Sequence, residues 1–534
     1  MSIAGEHIAR PRLSVAMIVR DEEEVLAESL ASVRPIADQI VVLDTGSSDQ
    51  TVAVAHRFGA TVGWMPWGDD FSAARNRCLT LANGDWILWL DAGETLGEES
   101  VEELRSFVDE QADPAKAYIL LVQVPPVDPA ASAEQAAQVR LIPNRKDLRF
   151  EGRVRETLQP SIEASGLQIE AAAGRIVCHA RRHDQARKLL CAGRDLRLAA
   201  LERAAREGPL PPRLPLAMGE AYANAGADEQ ARRAFREAID AAQPGSTEML
   251  EAYYGLLTSY DGDKFLADVQ LSTCVEALEV FPFDAQLLLV MGNYLQNKDR
   301  LDLAARAFST AVKHGQVDLG AWHLAEVAEV AANCLSLLLE TQEKFEEARA
   351  VLEESLRGNP DSDRLRRRLI DLHVKQGRCD EALGLADRLA VPPEQREPLR
   401  NAVRGACRAA ARDWTAALGY LQSAYAAGCG DPICLRHLAV TLLSNGQTEA
   451  AEPVLKQWQQ VEPTNVELQA YLAAIEQHRG AAAGRQSPSP QQPVADFAER
   501  RLRVDQGTTT LEAAPPRLPI ITQTSSVEAA PPGT

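Results

Sequence analysis

A spacing of about 34 residues between small side chains constrains this chain more than any other feature. Ala348, Ala382, Ala417 and Ala451 follow one another at intervals of 34, 35 and 34 residues. A leucine or alanine stands four residues after each of them, and prolines close the first and last of these units. A repeat of this length is typical of stacked helical units that share one continuous core.

Two earlier units repeat a fuller pattern at the same offsets from a glycine. The matching positions are Gly219, Tyr222, Ala231, Phe235 and Ala238 in one unit, and Gly292, Leu295, Ala304, Phe308 and Ala311 in the other. The period, the small residue at the helix crossing and the closing proline are typical of tetratricopeptide repeats. We therefore predict an all-α solenoid, with a degenerate unit near residues 253–282. Most aromatic residues there are interpreted as core rather than as a peptide groove: Tyr222, Tyr253, Tyr254, Trp322, Trp414 and Trp458.

The charge and cysteine content exclude several classes of protein. The chain has 534 residues and a formal net charge of −20, whereas nucleic-acid and anionic-membrane surfaces need clustered Lys and Arg. Its longest apolar runs are far shorter than the roughly 20 residues that span a bilayer. Nine cysteines are scattered without a CxxC pair. We predict a cytoplasmic protein with reduced thiols, no membrane span, no nucleic-acid partner and no structural zinc.

The first part of the chain has a different pattern, in which short apolar runs alternate with amphipathic stretches. Helices are predicted to begin near Glu22, Asp49, Ser72 and Glu98. Strands are predicted over residues 13–19, 39–43, 60–64, 86–90, 117–124, 138–142 and 175–179. Strands alternating with helices of this length indicate βαβ units and a mostly parallel sheet.

These patterns divide the chain into four segments. We predict an α/β domain over residues 1–185, a helical linker over 186–211 and the repeat array over 212–480. Residues 481–534 are rich in Pro, Ser, Thr and Ala, and they bury too little apolar surface to offset the entropy of ordering. We predict that this last segment is disordered.

Polar residues follow the predicted strands at the ends where α/β sheets bind ligands. Arg20 and Glu22 come directly after the first strand, and Asp44 and Gly46 come after the second. A carboxylate there can accept hydrogen bonds from a ribose or a base, and glycine permits a tight turn. Taken alone, this second segment is more often an N-capped βα turn with no ligand.

A second set of charged residues follows the fourth predicted strand. Asp91 ends that strand, Glu94 comes three residues later, and Arg75 lies on the preceding helix. A guanidinium near a strand-tip carboxylate suits a metal-bridged diphosphate. The alternative for Arg75 is a surface ion pair with Asp69 or Asp70.

Four motifs in this order resemble the family 2 glycosyltransferases of the GT-A fold. They are MIVRDEE, VVLDTGSSDQT, DDFSAARN and GDWILWLDAGE, within residues 13–96, and weaker similarity continues to about 183. The similarity is closest to the bacterial branch that joins such a domain to tetratricopeptide repeats. It implies a GT-A nucleotide-sugar-binding domain that transfers a hexosyl or N-acetylhexosaminyl group with inversion.

The resemblance also implies roles for individual residues. The nucleotide of a UDP- or GDP-sugar would contact Val19, Arg20, Glu22, Asp44 and Gly46, and Arg75 would face its diphosphate. Asp91 begins the position of the DxD motif of the family, but Gly93 stands where the second aspartate is expected. A divalent metal, Mn²⁺ or Mg²⁺, would then be bound by Asp91 or Glu94 with support from His179. If the metal is lost, Arg75 or the run Arg181-Arg182-His183 would supply the positive charge instead.

A later stretch, RLIPNRKDLRFEGRVRETL, resembles another motif of that branch. Glu156 in it is the candidate general base, with Asp91 as the second catalytic residue, and Arg155 stands where a histidine is often found. The alternative for Glu156 is a structural pairing with Arg153 or Arg155. For His179, a packed or surface role is the alternative to metal binding.

Two functions follow from these patterns. The first is an inverting glycosyltransferase whose repeats recruit a protein or peptide acceptor. The second is a tetratricopeptide scaffold whose transferase-like domain is catalytically silent, as Gly93 and Arg155 would suggest.

Overall fold

The computed structural model describes residues 10–128, 131–178, 184–261 and 264–483. An α/β domain comes first and a helical array follows, so the predicted fold class is confirmed. The elements of the first domain are β1 (Leu13–Val19), α1 (Leu26–Val33), β2 (Gln39–Asp44), α2 (Thr51–Arg57), β3 (Thr61–Trp64), α3 (Phe71–Leu79), β4 (Trp86–Trp89), β5 (Glu94–Leu96), α4 (Glu98–Glu110), β6 (Lys116–Val124), β7 (Glu134–Pro143), α5 (Gln159–Ser165) and β8 (Gln168–Cys178).

The strands of this domain form one mixed sheet in the order β3-β2-β1-β4-β7-β6-β8-β5. The four strands β3, β2, β1 and β4 run parallel. β7 is antiparallel to β4 and β6, and β8 is parallel to β6 but antiparallel to β5. The parallel half therefore brings the carboxyl ends of β2, β1 and β4 to one edge, side by side.

The central strand β1 is buried along its whole length because both faces of the sheet are covered. Leu13, Val15 and Met17 pack into the core on one face, and Ala16 and Ile18 pack into the core on the other. This alternation follows from the two-residue period of a strand. A strand buried on both faces has a continuous apolar sequence, which explains why its limits were predicted correctly.

The rest of the described chain is helical except for one short strand. Its elements are α6 (Gln185–Ala205), α7 (Arg213–Asn224), α8 (Asp228–Ala241), α9 (Thr247–Thr258), a 3-10 turn (Lys264–Leu266), α10 (Ala267–Val280), α11 (Ala285–Asn297), α12 (Leu301–His314), β9 (His323–Leu324), α13 (Val327–Thr341), α14 (Phe345–Gly358), α15 (Asp363–Lys375), α16 (Cys379–Ala386), α17 (Pro393–Ala410), α18 (Trp414–Ala426), α19 (Pro432–Ser444), α20 (Thr448–Val461) and α21 (Val466–Ala483). In this part of the chain, no helix combines the length and the apolar composition needed to cross a membrane.

The 34-residue period corresponds to pairs of packed helices. Ala348, Ala382, Ala417 and Ala451 all lie on the second helix of a pair, and each is fully buried. The aromatic residues named above are also mostly core, since Tyr253, Tyr254, Trp322 and Trp458 are at most 2% exposed. The small residues thus lie where two helices approach, as the repeat predicts.

The array is joined to the α/β domain through shared cores rather than through a flexible linker. Leu198 of α6 and Leu214 of α7 pack in the same core as Phe71 and Phe150. On the other face of the sheet, Trp322 packs with the core of β1. The next two residues form β9, which pairs with β7 and extends the sheet. The prediction that no strand occurs in the array was therefore wrong, because β9 is only two residues long and forms through contact with β7.

The cysteine prediction needs a correction as well. Cys379 at the start of α16 and Cys407 in α17 form a disulfide, with their Cα atoms 6.0 Å apart. The two residues are 28 positions apart in sequence, and only the packing of neighbouring helices brings them together. Six other cysteines are free thiols: Cys78, Cys191, Cys274, Cys334, Cys429 and Cys434.

Most of the predicted disordered tail lies outside the described residues. His179, Arg181, Arg182 and His183 lie wholly outside them. The proposed boundaries of the four segments stay predictions. Helix α6 covers most of the segment that was predicted to be a helical linker.

Candidate functional site

The edge formed by the ends of β2, β1 and β4 brings the predicted site residues together. Asp44 ends β2 and pairs in register with Val19 at the end of β1. Asp91 follows β4, which lies on the other side of β1. The candidate nucleotide residues and the candidate catalytic residues thus lie on one edge of the sheet, in the order that the strand pairing imposes.

Asp44 is used mainly to shape its own turn. Its carboxylate accepts hydrogen bonds from the amides of Gly46 and Ser47, both at 3.1 Å, and the residue is 4% exposed. Gly46 has φ of +115°, a conformation that side chains rarely adopt. The carbonyl of Val19 accepts a hydrogen bond from the amide of Thr45 at 3.0 Å. These contacts hold the first two loops of the edge side by side.

The loop after β1 is locked to the loop after β2 and to helix α6. Glu22 is fully buried, and its carboxylate accepts a hydrogen bond from Arg187 at 2.9 Å. Its amide donates to the hydroxyl of Thr51 at 2.7 Å. Arg20 lies 3.9 Å from Asp21 in a weak ion pair. Glu22 is therefore placed beside the predicted nucleotide site, but its side chain faces Arg187 in the interior.

Five buried charged residues form a cluster at the end of β4. They come from α3, the turn after β4, β5, β7 and the loop before α5, and we call them the carboxylate–arginine cluster: Arg75, Asp91, Glu94, Arg140 and Glu156. Three carboxylates and two guanidinium groups give it a formal charge of 2 − 3 = −1. Burial of so many charges is tolerated only because each has a partner of opposite charge.

Arg75 lies at the centre of the cluster. Its guanidinium pairs with Asp91 at 3.0 Å and with Glu156 through Nε. It also stacks near the rings of Trp89 and Phe150, at 4.5 and 5.2 Å from their centroids. The surface ion pair of Arg75 with Asp69 or Asp70 does not form, and Asp69 pairs with Arg197 instead. The structure places Arg75 beneath the edge, where it holds the two candidate catalytic carboxylates together.

Glu94 is committed to Arg140 rather than free to bind a ligand. Both of its carboxylate oxygens accept hydrogen bonds from the Arg140 guanidinium at 2.8 Å, and one also accepts from the amide of Asp91 at 2.9 Å. Burial raises the pKa of Glu94, and Arg140 opposes that effect. The sequence assigned no role to Arg140, although a charge directly before the apolar residues Leu141 and Ile142 was a usable signal.

Gly93 has a structural reason to replace the expected aspartate. Its φ is +86°, in the left-handed region, and its amide donates to the hydroxyl of Ser29 at 2.9 Å. A side chain at this position would be strained. Gly93 therefore belongs to the turn that leads from Asp91 to Glu94, and its presence alone is no sign of a decayed site.

The fit of a divalent metal differs between the predicted ligands. Asp91 is the most exposed carboxylate of the cluster, at 13% of its side chain, and a carboxylate has further acceptor sites beyond its bonds to Trp89 and Arg75. Glu94 is less accessible than Asp91, because its side chain is only 6% exposed and both of its oxygens already bond Arg140. Within the described ranges, no group of three or more His, Cys, Asp or Glu is arranged to hold a metal. A cation bound to Asp91 would suit the charge of the site. The cluster has a net charge of −1, so an anionic diphosphate bound beside it needs additional positive charge.

Glu156, the candidate general base, is a buried carboxylate of the carboxylate–arginine cluster. Its side chain is 5% exposed and pairs with Arg75, and the predicted pairing with Arg153 or Arg155 does not occur. Burial raises the pKa of Glu156, and the charge of Arg75 opposes that rise. A carboxylate whose pKa is raised toward the working pH accepts a proton more readily.

The neighbouring Arg155 points in the opposite direction, into the array. Its guanidinium is buried between the carboxylates of Glu220 in α7 and Glu251 in α9, with an Nη2–Oε2 distance of 2.5 Å to Glu251. This contact could not be predicted from the sequence, because the partners are 65 and 96 residues away.

The stability of this junction is expected to fall as the pH rises. Burial raises the pKa of Glu220 from 4.5 to about 8; Arg155 opposes the rise, while Glu251 and Asp195 add to it. The folded state thus binds this proton more tightly than the unfolded chain, so the stabilisation is complete below pH 4.5 and is lost as the pH rises through about 8. Thermal unfolding of wild type and Glu220→Gln at several pH values checks this. The unfolding temperature of the wild type should fall more steeply with rising pH than that of Glu220→Gln. An equal pH dependence of the two proteins would contradict the expectation.

Two segments of the chain match known families. Residues 14–125 match the family described as "Glycosyl transferase family 2", and residues 339–399 match "Tetratricopeptide repeat". The chain therefore carries a glycosyltransferase family 2 segment and a tetratricopeptide segment, and the resemblance noted from the motifs is confirmed.

Individual bacterial relatives share parts of the chain. A TPR repeat-containing protein of Synechococcus elongatus is 43% identical over 162 residues, which are 29% of this chain and 38% of that protein. An uncharacterized glycosyltransferase of Rickettsia bellii is 29% identical over 155 residues, which are 28% of this chain and 52% of that protein. The matches thus span between about two fifths and one half of the length of these relatives.

Among solved structures, one similar chain is the glucosyl-3-phosphoglycerate synthase of Mycobacterium tuberculosis, in complex with Mn²⁺, uridine diphosphate and glucosyl-3-phosphoglycerate. It is 18% identical with a TM-score of 0.25, and the match covers 38% of this chain and 83% of that chain.

Proposed function

We propose that this protein transfers a hexosyl or N-acetylhexosaminyl group from a UDP- or GDP-sugar to an acceptor hydroxyl, with inversion at the anomeric carbon. One observation carries the proposal. Arg75 holds Glu156 and Asp91 together at the carboxyl end of β4, on the same edge of the sheet as the loops after β1 and β2. The proposal assigns the general base to one end of this edge and the nucleotide site to the other.

Glu156 acts as the general base in this mechanism. As the acceptor oxygen forms its bond to the anomeric carbon, Glu156 takes the hydroxyl proton, and the bond from that carbon to the diphosphate oxygen breaks. The nucleoside diphosphate leaves with the bonding electron pair. Attack from the face opposite the leaving group inverts the configuration.

Asp91 and Arg75 organise the leaving-group side. Asp91 accepts from Trp89 at 3.0 Å and pairs with Arg75, so its orientation is fixed before a donor binds. A divalent ion, Mn²⁺ or Mg²⁺, held by Asp91 would supply the charge that offsets the departing diphosphate. The two arginines of the cluster add positive charge behind it. In this proposal Glu94 orients Asp91 and Arg140 and is not itself a metal ligand.

The acceptor is proposed to be a protein or peptide that the repeat array recruits. Tetratricopeptide arrays present extended surfaces for such contacts. The cytoplasmic location stays a prediction. The scaffold alternative rested on Gly93 and Arg155, and both residues have structural reasons that are compatible with a working site.

Donor binding tests the proposal directly. Calorimetry with UDP, GDP and a panel of their sugars, with and without MnCl₂, is expected to yield one nucleotide class that binds and one sugar that is hydrolysed slowly in the absence of acceptor. Absence of binding by every donor in the panel would leave only the scaffold function.

Replacing Asp91 by asparagine is expected to reduce the effect of manganese on UDP binding. The carboxylate charge is lost while the hydrogen bond from Trp89 can be kept, so the manganese-dependent gain in affinity should fall at least about 10-fold. Calorimetric titration of UDP at fixed MnCl₂ measures it. Asp85→Asn is the matched control, because Asp85 precedes β4 at the opposite edge of the sheet and contacts the amide of Arg12. Equal responses of the two variants would contradict the assignment.

A further inference from the structure

The loop that carries Glu156 is closed at its base by a short bridge. The amides and carbonyls of Glu151 and Thr157 bond each other at 2.9 and 3.0 Å. Between them, Gly152 has φ of +105° and Arg155 has φ of +47°. A positive φ in an arginine is uncommon and persists only where the surroundings impose it. We call residues 151–157 the base loop.

Two consecutive residues of the base loop, Arg153 and Val154, are held by helices outside the sheet. The amide of Arg153 donates to Glu202 of α6 at 2.7 Å. The carbonyl of Val154 accepts from Arg213 of α7 at 3.0 Å, and Arg213 also pairs with Glu202. These contacts hold the backbone just before Arg155, so the loop is supported from the array side as well as from the sheet.

The strongest of these anchors is the buried pair of carboxylates around Arg155. Glu220 and Glu251 come from the first helices of two successive repeat units, and the side chains of Arg155, Glu220 and Glu251 are 9%, 8% and 4% exposed. A guanidinium has five donors in a rigid fork, so it can engage both carboxylates at once. The histidine often found at this position in the resembled family has only two ring nitrogens.

Arg155 and Glu156 are adjacent, and their side chains form ion pairs in opposite directions. Glu156 reaches Arg75 in the sheet domain, whereas Arg155 reaches the array. The backbone between them is thereby fixed from both sides. A shift of the base loop would move the Glu156 carboxylate relative to Arg75 and Asp91, and a displacement of about 1 Å can cost about 100-fold in rate.

We propose that Glu220 and Glu251 of the repeat array are positioning residues for Glu156, which act on it through Arg155. The inference rests on the proposed function for the role of Glu156 in catalysis. The first two repeat units are then part of the working transferase. Arg155, at the position where the resembled family often has a histidine, joins the base loop to these units.

Hydrogen–deuterium exchange of the full-length protein tests, without any donor, whether Glu220, Glu251 and Arg155 hold the base loop in place. In Glu220→Ala, Glu251→Ala and Arg155→Ala, the base loop amides of Glu151 and Thr157 are expected to exchange at least about 10-fold faster, because their bridge loses its support. Glu340→Ala is the matched control. Glu340 of α13 pairs with Arg368 of α15, their side chains are 8% and 9% exposed, and the pair lies in later repeat units than Glu220 and Glu251.

Steady-state kinetics with the nucleotide sugar found by calorimetry test whether the array positions Glu156 for catalysis. In Glu251→Ala we expect kcat to fall about 10-fold or more, the KM of the donor to stay within about 2-fold and the acid limb of the pH–rate profile to move, because Glu156 changes its distance from Arg75. Arg155→Lys should keep more of the wild-type kcat than Arg155→Ala, because lysine can still pair with one of the two glutamates. Glu340→Ala should lower the unfolding temperature and leave both kcat and the pH profile unchanged.

The outcomes separate the two proposals. If no donor binds the wild type, the proposed function fails, and the exchange experiment still decides whether the array holds the base loop. Unchanged exchange of the loop in all three variants overturns the inference, as does a fall of kcat in Glu251→Ala that Glu340→Ala reproduces. Faster exchange together with a selective loss of kcat supports it.

Discussion

Glu156→Gln is expected to lower kcat by about 100- to 10,000-fold, the range that loss of a general base usually gives. The amide keeps the size of the side chain and one hydrogen bond to Arg75, but it cannot take the acceptor proton. Affinity for UDP should change little, because Glu156 lies at the β4 side of the edge and not beside Asp44. Steady-state turnover and calorimetry on the same preparation measure the two effects.

Glu151→Gln in the same loop is the matched control for this variant. Among the residues that the structure describes, its carboxylate pairs with the exposed Arg149, and its side chain is 41% exposed. Turnover of Glu151→Gln should therefore stay close to that of the wild type. If Glu156→Gln retains most of its kcat, then Glu156 is a structural partner of Arg75 and another group takes the proton.

The pH dependence of turnover follows from the burial of Glu156. Since burial raises its pKa above the usual value of 4.5, the carboxylate is protonated and inactive over a wider acid range than an exposed glutamate. Activity should rise with pH on an acid limb centred above pH 4.5, and it should be lost as the pH falls through that point. A profile of kcat/KM against pH measures the limb, and an acid limb at or below the value of an exposed carboxylate would contradict the expectation.

Phe308→Ala is expected to have the largest effect on stability, about 3–5 kcal/mol in the free energy of unfolding of the array. Phe308 in α12 is fully buried, and its ring fills the space beside Gly292 in α11. A Cβ atom on Gly292 would lie 2.3 Å from that ring. Loss of the ring leaves a cavity between α11 and α12. The glycine at position 292 has no side chain that could fill it.

The reverse change tests the same contact. Gly292→Ala should cost about 1–3 kcal/mol through overpacking against Phe308. Gly419→Ala in α18 is the matched control, because nothing lies within 4 Å of the added Cβ, and it should be neutral or stabilise its helix by up to about 1 kcal/mol. Denaturant unfolding followed by circular dichroism compares the three variants. Equal stabilities of Gly292→Ala and Gly419→Ala would contradict the packing argument.

Much of the fold could be predicted because its signals are local. The limits of β1 match the apolar run that predicted them, and β2, β3 and β4 differ from their predicted limits by one residue at one end. The repeat alanines are buried as the period requires. β8 was predicted too short by seven residues at its start, because its first half is a partly exposed strand with an alanine run and little apolar alternation.

The candidate site could be predicted only in part. The sequence placed Asp44, Asp91 and Arg75 near one edge, because parallel strands end together. It could not show that Arg75 is buried between Asp91 and Glu156, since Arg75 and Glu156 are 81 residues apart. Nor could it pair Glu94 with Arg140, because the two lie 46 residues apart and on different strands of the sheet.

The 34-residue period and the ordered strand-tip motifs are properties of the sequence alone, and they determined the two domain types and the general location of the site. Each rests on periodicity or spacing between near neighbours, which the chain itself encodes. Only the tertiary structure decided which charges meet. Asp91 and Glu156 share Arg75, while Arg155 joins the base loop to the repeats. Such pairings depend on how distant elements pack, and a buried charge is stable only where that packing supplies its partner.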